Sequence, residues 1–273
     1  MRLFYRQHHP SLSHFNLILS KSMVLRYQVI AQAAHIQLAR PEVYNALNEE
    51  LCLELQKALA QAESDPLVKV VVLSGEGKGF CAGQDLMALA SMDKLVASEY
   101  MERCYNPIVM KMASMKKPVI CRLHGKAAGA GASLVLACDM VIAEESAAMI
   151  FPFLQLGLVP DTGASWSLNR LVGRMKAFDL FTTVRPITAA EALFTGLITR
   201  VVKDNTEMDE VIAELVELIG NGPSEAIALM KQLCRKAETA TMEEMLKAEA
   251  VAQDIATRQP DFFKAVERLR KGK

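Results

Sequence analysis

Residues 68–86 read Val68-Lys-Val-Val-Val-Leu-Ser-Gly-Glu-Gly-Lys-Gly-Phe-Cys-Ala-Gly-Gln-Asp-Leu86. The segment begins with a nearly continuous run of branched apolar residues, 68–73, which predicts a strand that is covered on both faces. A glycine-rich turn follows this strand directly. The same order recurs at Pro118–Leu123, a second apolar run, which leads into the turn His124–Gly131. Buried strands that pass through glycine-rich turns into helices predict an α/β fold.

Strands alternate with helices on both sides of this segment. The runs Val24–Ala31 and Ala33–Ala39 predict a pair of strands, and Asp139–Ala143 predicts another buried strand. Asn48 is predicted to cap a helix, because apolar residues recur at helical spacing within 51–62. These elements belong to one α/β core.

After about residue 206 the strand signal ends and only helices are predicted. They cover Met208–Ile219, Ser224–Lys236, Met242–Thr257 and Asp261–Lys271. The last helix has Phe262, Phe263, Val266 and Leu269 on one side, and such a stripe must be buried against the core or against another subunit. We therefore divide the chain into a core of residues 23–206, which holds the ligand site, and a helical oligomerisation region of residues 207–273.

Residues 1–22 precede the first strand signal and need a separate interpretation. The segment contains Arg2, Arg6, Lys21 and several serines but no acidic residue, as organelle transit peptides do. It lacks the arginine-rich amphipathic stripe of such peptides. We interpret it as a dispensable extension and predict that its removal leaves folding intact.

The composition excludes several classes of protein. The chain has 273 residues, 51% of them hydrophobic, and a formal net charge of zero, which gives no general attraction to nucleic acid. No apolar run reaches the roughly 18–20 residues that span a bilayer, so we predict a cytoplasmic protein that does not bind membranes. The six cysteines form no C-x-x-C pair. We interpret them as reduced thiols and expect no bound metal.

Two nucleotide-binding motifs are absent. Gly75 and Gly77 are followed by Phe80 where the dinucleotide fingerprint G-x-G-x-x-G requires a third glycine, and the loop G-x-x-x-x-G-K-[ST] does not occur. The serine-hydrolase motif G-x-S-x-G is matched only in part, because Val135 replaces its second glycine. Ser133 is therefore a poor nucleophile candidate, and a Rossmann dehydrogenase is disfavoured.

The two glycine-rich turns offer backbone N–H groups instead. A turn that opens a helix directs its free N–H groups outward, at the positive end of the helix dipole. Two such turns could each aim one N–H at the same oxygen atom, which is the arrangement of an oxyanion hole. Each donor of such a hole contributes roughly 2.7–4 kcal/mol to transition-state stabilisation. Tight turns alone explain the same glycines equally well, so the local sequence leaves both interpretations open.

Five blocks, in order, resemble the crotonase (enoyl-CoA hydratase/isomerase) superfamily. They are Arg40-Pro41 through Asn45-Ala46-Leu47, Lys78–Leu86, His124–Leu134 with Ala137-Cys-Asp139, Gly157–Pro160 and Ile187–Gly196. The resemblance covers about residues 24–271. It implies a crotonase (ClpP-like) spiral of β-β-α units with a C-terminal helical trimerisation region. It also implies an acyl-CoA substrate, no separate cofactor because coenzyme A is part of the substrate, and a homotrimer or a hexamer.

The resemblance also assigns site residues. Gln84 and Ala130 match the positions whose backbone N–H groups form the oxyanion hole. The substrate-binding set, by position, comprises Ala82, Gln84, Asp85, Leu86, Gly129, Ala130, Ser133, Phe153 and Arg40. Backbone around Ala82–Leu86 is expected along the CoA adenine and pantetheine, and Arg40 is a candidate for a CoA phosphate. For the Asp85 side chain we favour a helix cap.

The carboxylates discriminate between reactions of this superfamily. Hydratases of the family use two glutamates, and this chain has Ser133 at the first position and Phe153, after Pro152, at the second. Asp161, in Pro160-Asp-Thr-Gly-Ala-Ser-Trp166, resembles the single base of ring-opening 1,2-epoxyphenylacetyl-CoA isomerases and related enoyl-CoA isomerases. One base suffices to move a double bond from the 3,4 to the 2,3 position. We therefore predict an enoyl-CoA isomerase, with a hydratase or a silent acyl-CoA-binding relative as alternatives.

Asp161 also has a structural interpretation. Residues 162–171 predict a helix, and an aspartate before it would be an ordinary N-cap. A cap lowers the pKa of the carboxyl group, whereas a base benefits from an apolar wall that raises it. Phe153, Leu158 and Trp166 are candidates for that wall, although core packing explains them equally well.

Overall fold

The computed structural model describes residues 23–90 and 96–272. The predicted extension, residues 1–22, lies outside them. The strands, in chain order, are β1 (Leu25–Ile30), β2 (Ala33–Leu38), β3 (Val70–Gly75), β4 (Val119–Leu123), β5 (Lys126–Ala128), β6 (Met140–Glu144), β7 (Ala148–Ile150), β8 (Ile187–Thr188) and β9 (Arg200–Val202). The five strands predicted from the sequence are confirmed to within two residues at each end.

The strands form two sheets. A six-stranded sheet has the order β1-β2-β3-β4-β6-β9, and a three-stranded sheet has the order β5-β7-β8. Only the pairing of β1 with β2 is antiparallel in the larger sheet. The consecutive strands β4 and β5, and then β6 and β7, place one strand in each sheet. This alternation is the predicted spiral of β-β-α units.

Helices connect and cover the sheets. They are α1 (Glu49–Ser64), α2 (Leu86–Ala90), α3 (Ala97–Cys104), α4 (Asn106–Ser114), α5 (Ala130–Ala137), α6 (Ala164–Val172), α7 (Arg174–Thr183), α8 (Ala189–Phe194), α9 (Asn205–Gly220), α10 (Ser224–Ala237), α11 (Met242–Ala256) and α12 (Pro260–Arg270). The four helices predicted after residue 206 are confirmed as α9–α12. The Asn48 side chain accepts a hydrogen bond from the N–H of Leu51 (2.9 Å), as predicted for the cap of α1.

The larger sheet separates two apolar clusters. On one face, β3 and β4 pack with α1, α4 and α5 in the main core, which includes Leu55, Leu73 and Cys121. On the other face, Val72 and Ile120 pack against α9. Because β3 is covered on both faces, every one of its residues is buried. This double covering explains the continuous apolar run from which the strand was predicted.

A buried ion pair fixes α10 to the core. The Lys231 ammonium lies 2.7 Å from the Asp139 carboxylate and donates to the carbonyls of Met112 (2.8 Å) and Lys117 (3.0 Å). Burial lowers the pKa of Lys231, and Asp139 opposes that shift. Without this cation Asp139 keeps only the N–H of Val119 (2.8 Å) and the Arg235 guanidinium at 3.6 Å, and the two carbonyls lose the ammonium donor.

Lys231→Met is therefore expected to lower the free energy of unfolding by about 3 kcal/mol, because it removes the nearer cation of a partly buried carboxylate and leaves only Arg235, at 3.6 Å. Chemical denaturation measures the change. Lys247→Met is the matched control, since Lys247 pairs with Glu243 on an exposed helix face, where such pairs contribute about 0.3–0.5 kcal/mol. Equal effects of the two substitutions would contradict the role assigned to Lys231.

The C-terminal helix α12 buries none of its residues within the chain. Phe263 is 61% exposed and Leu269 is 79% exposed. The predicted apolar stripe is therefore not covered by the core of the same chain. None of the helices in the described residues is long and apolar enough to cross a membrane.

Candidate active site

The two glycine-rich turns touch each other. A Cβ atom on Gly83 would lie 2.6 Å from the carbonyl oxygen of Ala128 and 3.2 Å from the backbone nitrogen of Ala130. Gly83 also has φ of +88°, which an L side chain rarely adopts. A Cβ on Gly131, in turn, would collide with the carbonyl oxygen of Cys81. Glycines at these positions are thus required for the close approach of two backbones, and not only for tight turns.

The N–H groups of Gln84 and Ala130 are free to bind a ligand. Leu47 donates to the carbonyl of Gly83 (2.7 Å) and accepts from the N–H of Asp85 (3.0 Å), so the N–H between them, that of Gln84, points to the opposite side. Ala130 is the first residue of α5, where a helix leaves its N–H groups unpaired. Neither N–H has a hydrogen-bond partner among residues 23–90 and 96–272.

The side chain of Asn45 holds the first turn in shape. Its amide nitrogen donates to the carbonyls of Glu76 (2.9 Å), Gly79 (3.0 Å) and Phe80 (3.1 Å). Its Oδ1 accepts from the N–H of Arg40 (2.9 Å). Asn45 is completely buried, so it ties the early loop to the turn that presents Gln84. Sequence reasoning assigned it no role, because these partners lie more than 30 residues away along the chain.

Asp85 and Arg40 form an ion pair beside this turn. The Arg40 guanidinium lies 2.9 Å from Asp85 Oδ2 and donates to the carbonyl of Ala46 (2.6 Å). Asp85 Oδ1 accepts from the N–H of Ala88 (3.0 Å), as expected of the predicted helix cap. That N–H, and then Arg40, lower the pKa of Asp85 against the effect of burial. Both side chains thus stabilise the turn, and a contact of Arg40 with a CoA phosphate stays a prediction.

Asp161 is not a helix cap, so that interpretation of the sequence is wrong. Helix α6 begins at Ala164, two residues later than predicted, and Gly163 occupies the N-cap position without a side-chain bond. The reason is local geometry: Thr162 has φ of +52° and Gly163 has φ of +79°. These left-handed residues turn the chain away from helical geometry, and they leave the Asp161 carboxyl group beside the helix rather than over its first turn.

The loop around Asp161 stores strain. Thr162 is β-branched and buried, and a positive φ is rare for such a residue. Its Oγ1 donates to Asp161 Oδ1 (2.9 Å). Burial raises the pKa of Asp161, and the bond from Thr162 opposes the rise. Strained backbone of this kind occurs mainly at functional sites, and a carboxylate with a raised pKa is a candidate base.

Ser133 links this loop to the second turn. Its hydroxyl group contacts the carbonyls of Gly129 (3.1 Å) and Asp161 (3.4 Å), both of which accept from it. Gly129 itself donates to the carbonyl of Ile150 (3.0 Å). Asp161 is thereby held next to the first turn of α5, where the N–H of Ala130 lies. The structure thus brings Asp161 next to Gly129 and Ser133, which the sequence predicted from a different block.

A family comparison decides what this arrangement belongs to. The model of the family described as enoyl-CoA hydratase/isomerase matches residues 29–272. The chain belongs to the enoyl-CoA hydratase/isomerase family. This membership, within the crotonase superfamily, confirms the resemblance stated above, and the two sheets with their covering helices form the crotonase fold.

Individual relatives include isomerases and hydratases. The chain is 38% identical over 234 residues to the 1,2-epoxyphenylacetyl-CoA isomerase of Escherichia coli (strain K12), which covers 85% of this chain and 89% of that enzyme. It is 28% identical over 267 residues to the peroxisomal Delta(3,5)-Delta(2,4)-dienoyl-CoA isomerase of Arabidopsis thaliana, covering 88% and 96% of the two chains. The crystal structure of an enoyl-CoA hydratase from Bacillus anthracis superposes with a TM-score of 0.84 at 29% identity, over 92% of this chain and 97% of that one.

The other residues predicted from the enoyl-CoA hydratase/isomerase blocks lie around the first turn and beside the Asp161 loop. Ala82 and Leu86 are exposed on either side of Gln84, so their backbone is accessible to a ligand. Phe153 is buried in the main core, as an apolar wall requires. Leu158 is 51% exposed, and its side chain is therefore no part of a buried wall.

The Trp166 side chain is not buried either. It is 39% exposed, and its ring stacks with the guanidinium of Arg170, 4.2 Å from the ring centroid. The two lie one turn apart on α6, so the contact is local. Leu158 and Trp166 are therefore half-exposed side chains rather than core residues, and their role as a wall for the carboxyl group stays a prediction. In the described parts of the chain, no cluster of His, Cys, Asp or Glu side chains is arranged to hold a metal ion.

Proposed function

We propose that this member of the enoyl-CoA hydratase/isomerase family is an enoyl-CoA isomerase that moves a 3,4 double bond to the 2,3 position. The supporting observation is Asp161, whose half-buried carboxyl group has a raised pKa and whose main-chain carbonyl contacts Ser133, three residues after Ala130 on α5. The positions at which hydratases of the family carry glutamates hold Ser133 and Phe153. A single base therefore serves the whole reaction.

The proposed reaction begins when the thioester carbonyl accepts hydrogen bonds from the N–H groups of Gln84 and Ala130. The Asp161 carboxylate then removes a proton from C2, and the electron pair of that C–H bond delocalises onto the thioester oxygen. Negative charge develops on this oxygen, where each N–H contributes roughly 2.7–4 kcal/mol to its stabilisation. The protonated Asp161 returns the proton at C4, and the double bond then lies between C2 and C3.

The raised pKa of Asp161 suits this sequence of steps. A carboxylate whose pKa lies above the ordinary aspartate value is a stronger base towards the C2 proton. Its protonated form also persists until the proton is returned. Since burial is the cause of the shift, the shape of the site itself provides this property.

The pH dependence of the isomerase is expected to follow Asp161. Activity requires the carboxylate, so it falls as the pH drops through the raised pKa. Thr162→Ala removes the hydrogen bond that opposes the rise, and the midpoint of the acid limb moves to higher pH. Thr162→Ser keeps the hydroxyl group and is the control. Profiles of kcat/KM against pH measure the midpoints, and identical midpoints in all three proteins would contradict the assignment.

Hydration of an enoyl-CoA is the competing activity. It requires help at both the attacking water and the α-carbon, and no second carboxylate stands at position 133 or 153. A ring-derived epoxide CoA is a further candidate substrate, because the relative from Escherichia coli is named a 1,2-epoxyphenylacetyl-CoA isomerase. We propose that both isomerisations use the same amides and the same carboxylate.

Parallel assays with crotonyl-CoA and 3-hexenoyl-CoA test the proposal. Isomerisation of 3-hexenoyl-CoA creates a conjugated thioester and raises its absorbance, whereas hydration of crotonyl-CoA removes the conjugation and lowers it. We expect turnover of 3-hexenoyl-CoA and at least about 100-fold slower hydration, the usual cost of losing one acid–base group. Preferred hydration would contradict the proposed reaction. Tight CoA binding with no turnover of either thioester would favour the silent relative.

We also propose that the enzyme is a homotrimer or a hexamer in the cytoplasm. The exposed apolar stripe of α12 supports the association, because contiguous exposed apolar side chains are typical of interfaces. Phe263→Glu combined with Leu269→Glu is expected to shift the molecular mass in solution towards the monomer. Arg268→Glu on the same helix is the control. A double variant that keeps the wild-type mass would exclude α12 from the interface.

A further inference from the structure

Two tyrosine hydroxyl groups are buried without hydrogen-bond partners. Tyr100 lies on α3 and Tyr105 lies between α3 and α4, and they are only 4% and 2% exposed. Their rings form an edge-to-face pair with centroids 5.6 Å apart. Neither hydroxyl group has a partner that meets hydrogen-bond geometry among the described residues. A buried polar group of this kind costs roughly 1–3 kcal/mol of stability.

The segment that carries the two tyrosines lies between the first glycine-rich turn, which presents Gln84, and the loop that carries Asp161. Burial raises the pKa of Tyr100 to about 12; the Gln84 side chain, which approaches the hydroxyl group, opposes the rise, and the Cys104 thiol, which also lies close, adds to it. At the other end, Val109 lies one helical turn after Tyr105, and its Cγ1 is 3.6 Å from the position of a Cβ on Gly163. The start of α4, which follows Tyr105 directly, thus packs against the segment that carries Asp161.

Electrostatics agree with this placement. Burial raises the pKa of Tyr105, and the neighbouring cysteine thiols, Tyr100 and the Asp161 carboxylate add to the rise. With a raised pKa, the Tyr105 hydroxyl remains protonated at neutral pH and keeps a hydrogen to donate.

We infer that the hydroxyl groups of Tyr100 and Tyr105 recognise an oxygen atom on the acyl group of the substrate, so that the site prefers oxygen-bearing acyl groups over hydrocarbon ones. This inference rests on the proposed function, because it places the acyl group between Gln84 and Asp161. A hydrocarbon chain leaves both hydroxyl groups unpaired, whereas an ether, epoxide or hydroxyl oxygen accepts a hydrogen bond from them. A site with donors for a ligand oxygen discriminates strongly against analogues that lack it.

The stability of the fold gives no competing reason for these hydroxyl groups. Replacement of an unpartnered buried hydroxyl by hydrogen removes a desolvated polar group and no bond. Tyr100→Phe and Tyr105→Phe are therefore expected to leave the melting temperature unchanged or higher. A clearly lower melting temperature in either variant would show that its hydroxyl is bonded within the protein, and would overturn the inference.

The selectivity is tested with unreactive ligands that differ by one oxygen. Phenylacetyl-CoA is compared with its 2-, 3- and 4-hydroxy derivatives as competitive inhibitors of the wild-type protein, or by calorimetric titration if no turnover is found. At least one hydroxy derivative is expected to bind about 10-fold or more tightly than phenylacetyl-CoA. Tyr100→Phe and Tyr105→Phe are expected to reduce this ratio towards one while phenylacetyl-CoA itself binds as before.

Tyr27→Phe is the matched control. The Tyr27 hydroxyl is equally buried and unpartnered, and burial, together with Asp65, raises its pKa to about 12. Asp65 follows the last turn of α1, whereas Cys52, which influences Tyr105, lies in the first turn. Asp65 and Cys52 are about 20 Å apart along the helix axis, so the two tyrosines have neighbours at opposite ends of α1. This variant is expected to keep the wild-type preference.

The outcomes separate this inference from the proposed function. Turnover of 3-hexenoyl-CoA without any preference for a hydroxy derivative would overturn the inference and leave the isomerase proposal intact. A preference that disappears in the Tyr100 and Tyr105 variants would support the inference even if no isomerisation is found. A preference that survives both substitutions, or that also disappears in the Tyr27 variant, would assign the selectivity to other groups.

Discussion

Asp161→Asn is expected to reduce the isomerisation of 3-enoyl-CoA by about 1000-fold, within the range that a general base contributes. The amide has the shape of the carboxyl group but cannot take the C2 proton. Binding of the CoA substrate is expected to remain, because Gln84 and Ala130 hold the thioester through their backbone. Rates at saturating substrate and calorimetric titration with an unreactive acyl-CoA measure the two effects separately.

The same substitution makes a prediction for stability. Burial raises the pKa of Asp161 above that of the unfolded chain, so at neutral pH its charge favours the unfolded state. Asp161→Asn removes that charge, and the variant is expected to melt at the same or a higher temperature. Asp209→Asn, which removes a remote carboxylate that pairs with Arg122, is the control and should keep full activity. An active Asp161→Asn enzyme would exclude Asp161 as the base.

Gly83→Ala is expected to lower kcat by about 100-fold or more. The added Cβ would lie 2.6 Å from the carbonyl oxygen of Ala128 and 3.2 Å from the nitrogen of Ala130, so the two turns must separate. Misplacement of one oxyanion donor costs about 100- to 1000-fold in kcat. The turns also pack against the core, so the substitution affects stability as well. We expect the strained backbone to lower the free energy of unfolding by roughly 1–3 kcal/mol.

Gly173→Ala is the control that tells whether the effect of Gly83→Ala comes from the contact between the two turns or from the positive φ. Gly173 has φ of +78°, close to the +88° of Gly83, but a Cβ at this position meets nothing within 4 Å. Both substitutions place an alanine at a positive φ, and only Gly83→Ala separates the turns. A smaller stability loss in Gly173→Ala than in Gly83→Ala is expected, with the loss of activity confined to Gly83→Ala. Full activity of folded Gly83→Ala would show that the approach of the turns is not needed for catalysis.

Much of this architecture follows from local sequence patterns. The buried strands at Val70–Gly75 and Val119–Leu123 were predicted from apolar runs, and the cap of α1 from Asn48. Such features depend on residues that are close together in the chain. The glycines were ambiguous because one pattern serves tight turns and close backbone approach alike. Only the close approach of Gly83 to Ala130 in the structure distinguishes these two explanations.

The features that the sequence did not predict depend on distant partners or on unusual backbone geometry. Thr162 has a positive φ that no β-branched residue favours, so the pattern predicted a helix there. Lys231 lies in a predicted helix, where a lysine is expected to reach solvent. Its ammonium group is instead buried among acceptors more than 90 residues away in the chain. Tyr100 and Tyr105 were passed over because unpartnered hydroxyl groups become visible only when all their neighbours are known.

The central claim is that backbone amides from two separate turns bind one thioester oxygen. A crystal structure of the Asp161→Asn variant with 3-hexenoyl-CoA tests it most directly, because the substrate then remains unconverted. The account predicts the thioester oxygen at about 2.7–3.1 Å from the backbone nitrogens of both Gln84 and Ala130, with the residue 161 side chain facing C2 and C4. A thioester oxygen bound elsewhere, or touched by only one of these amides, would contradict it.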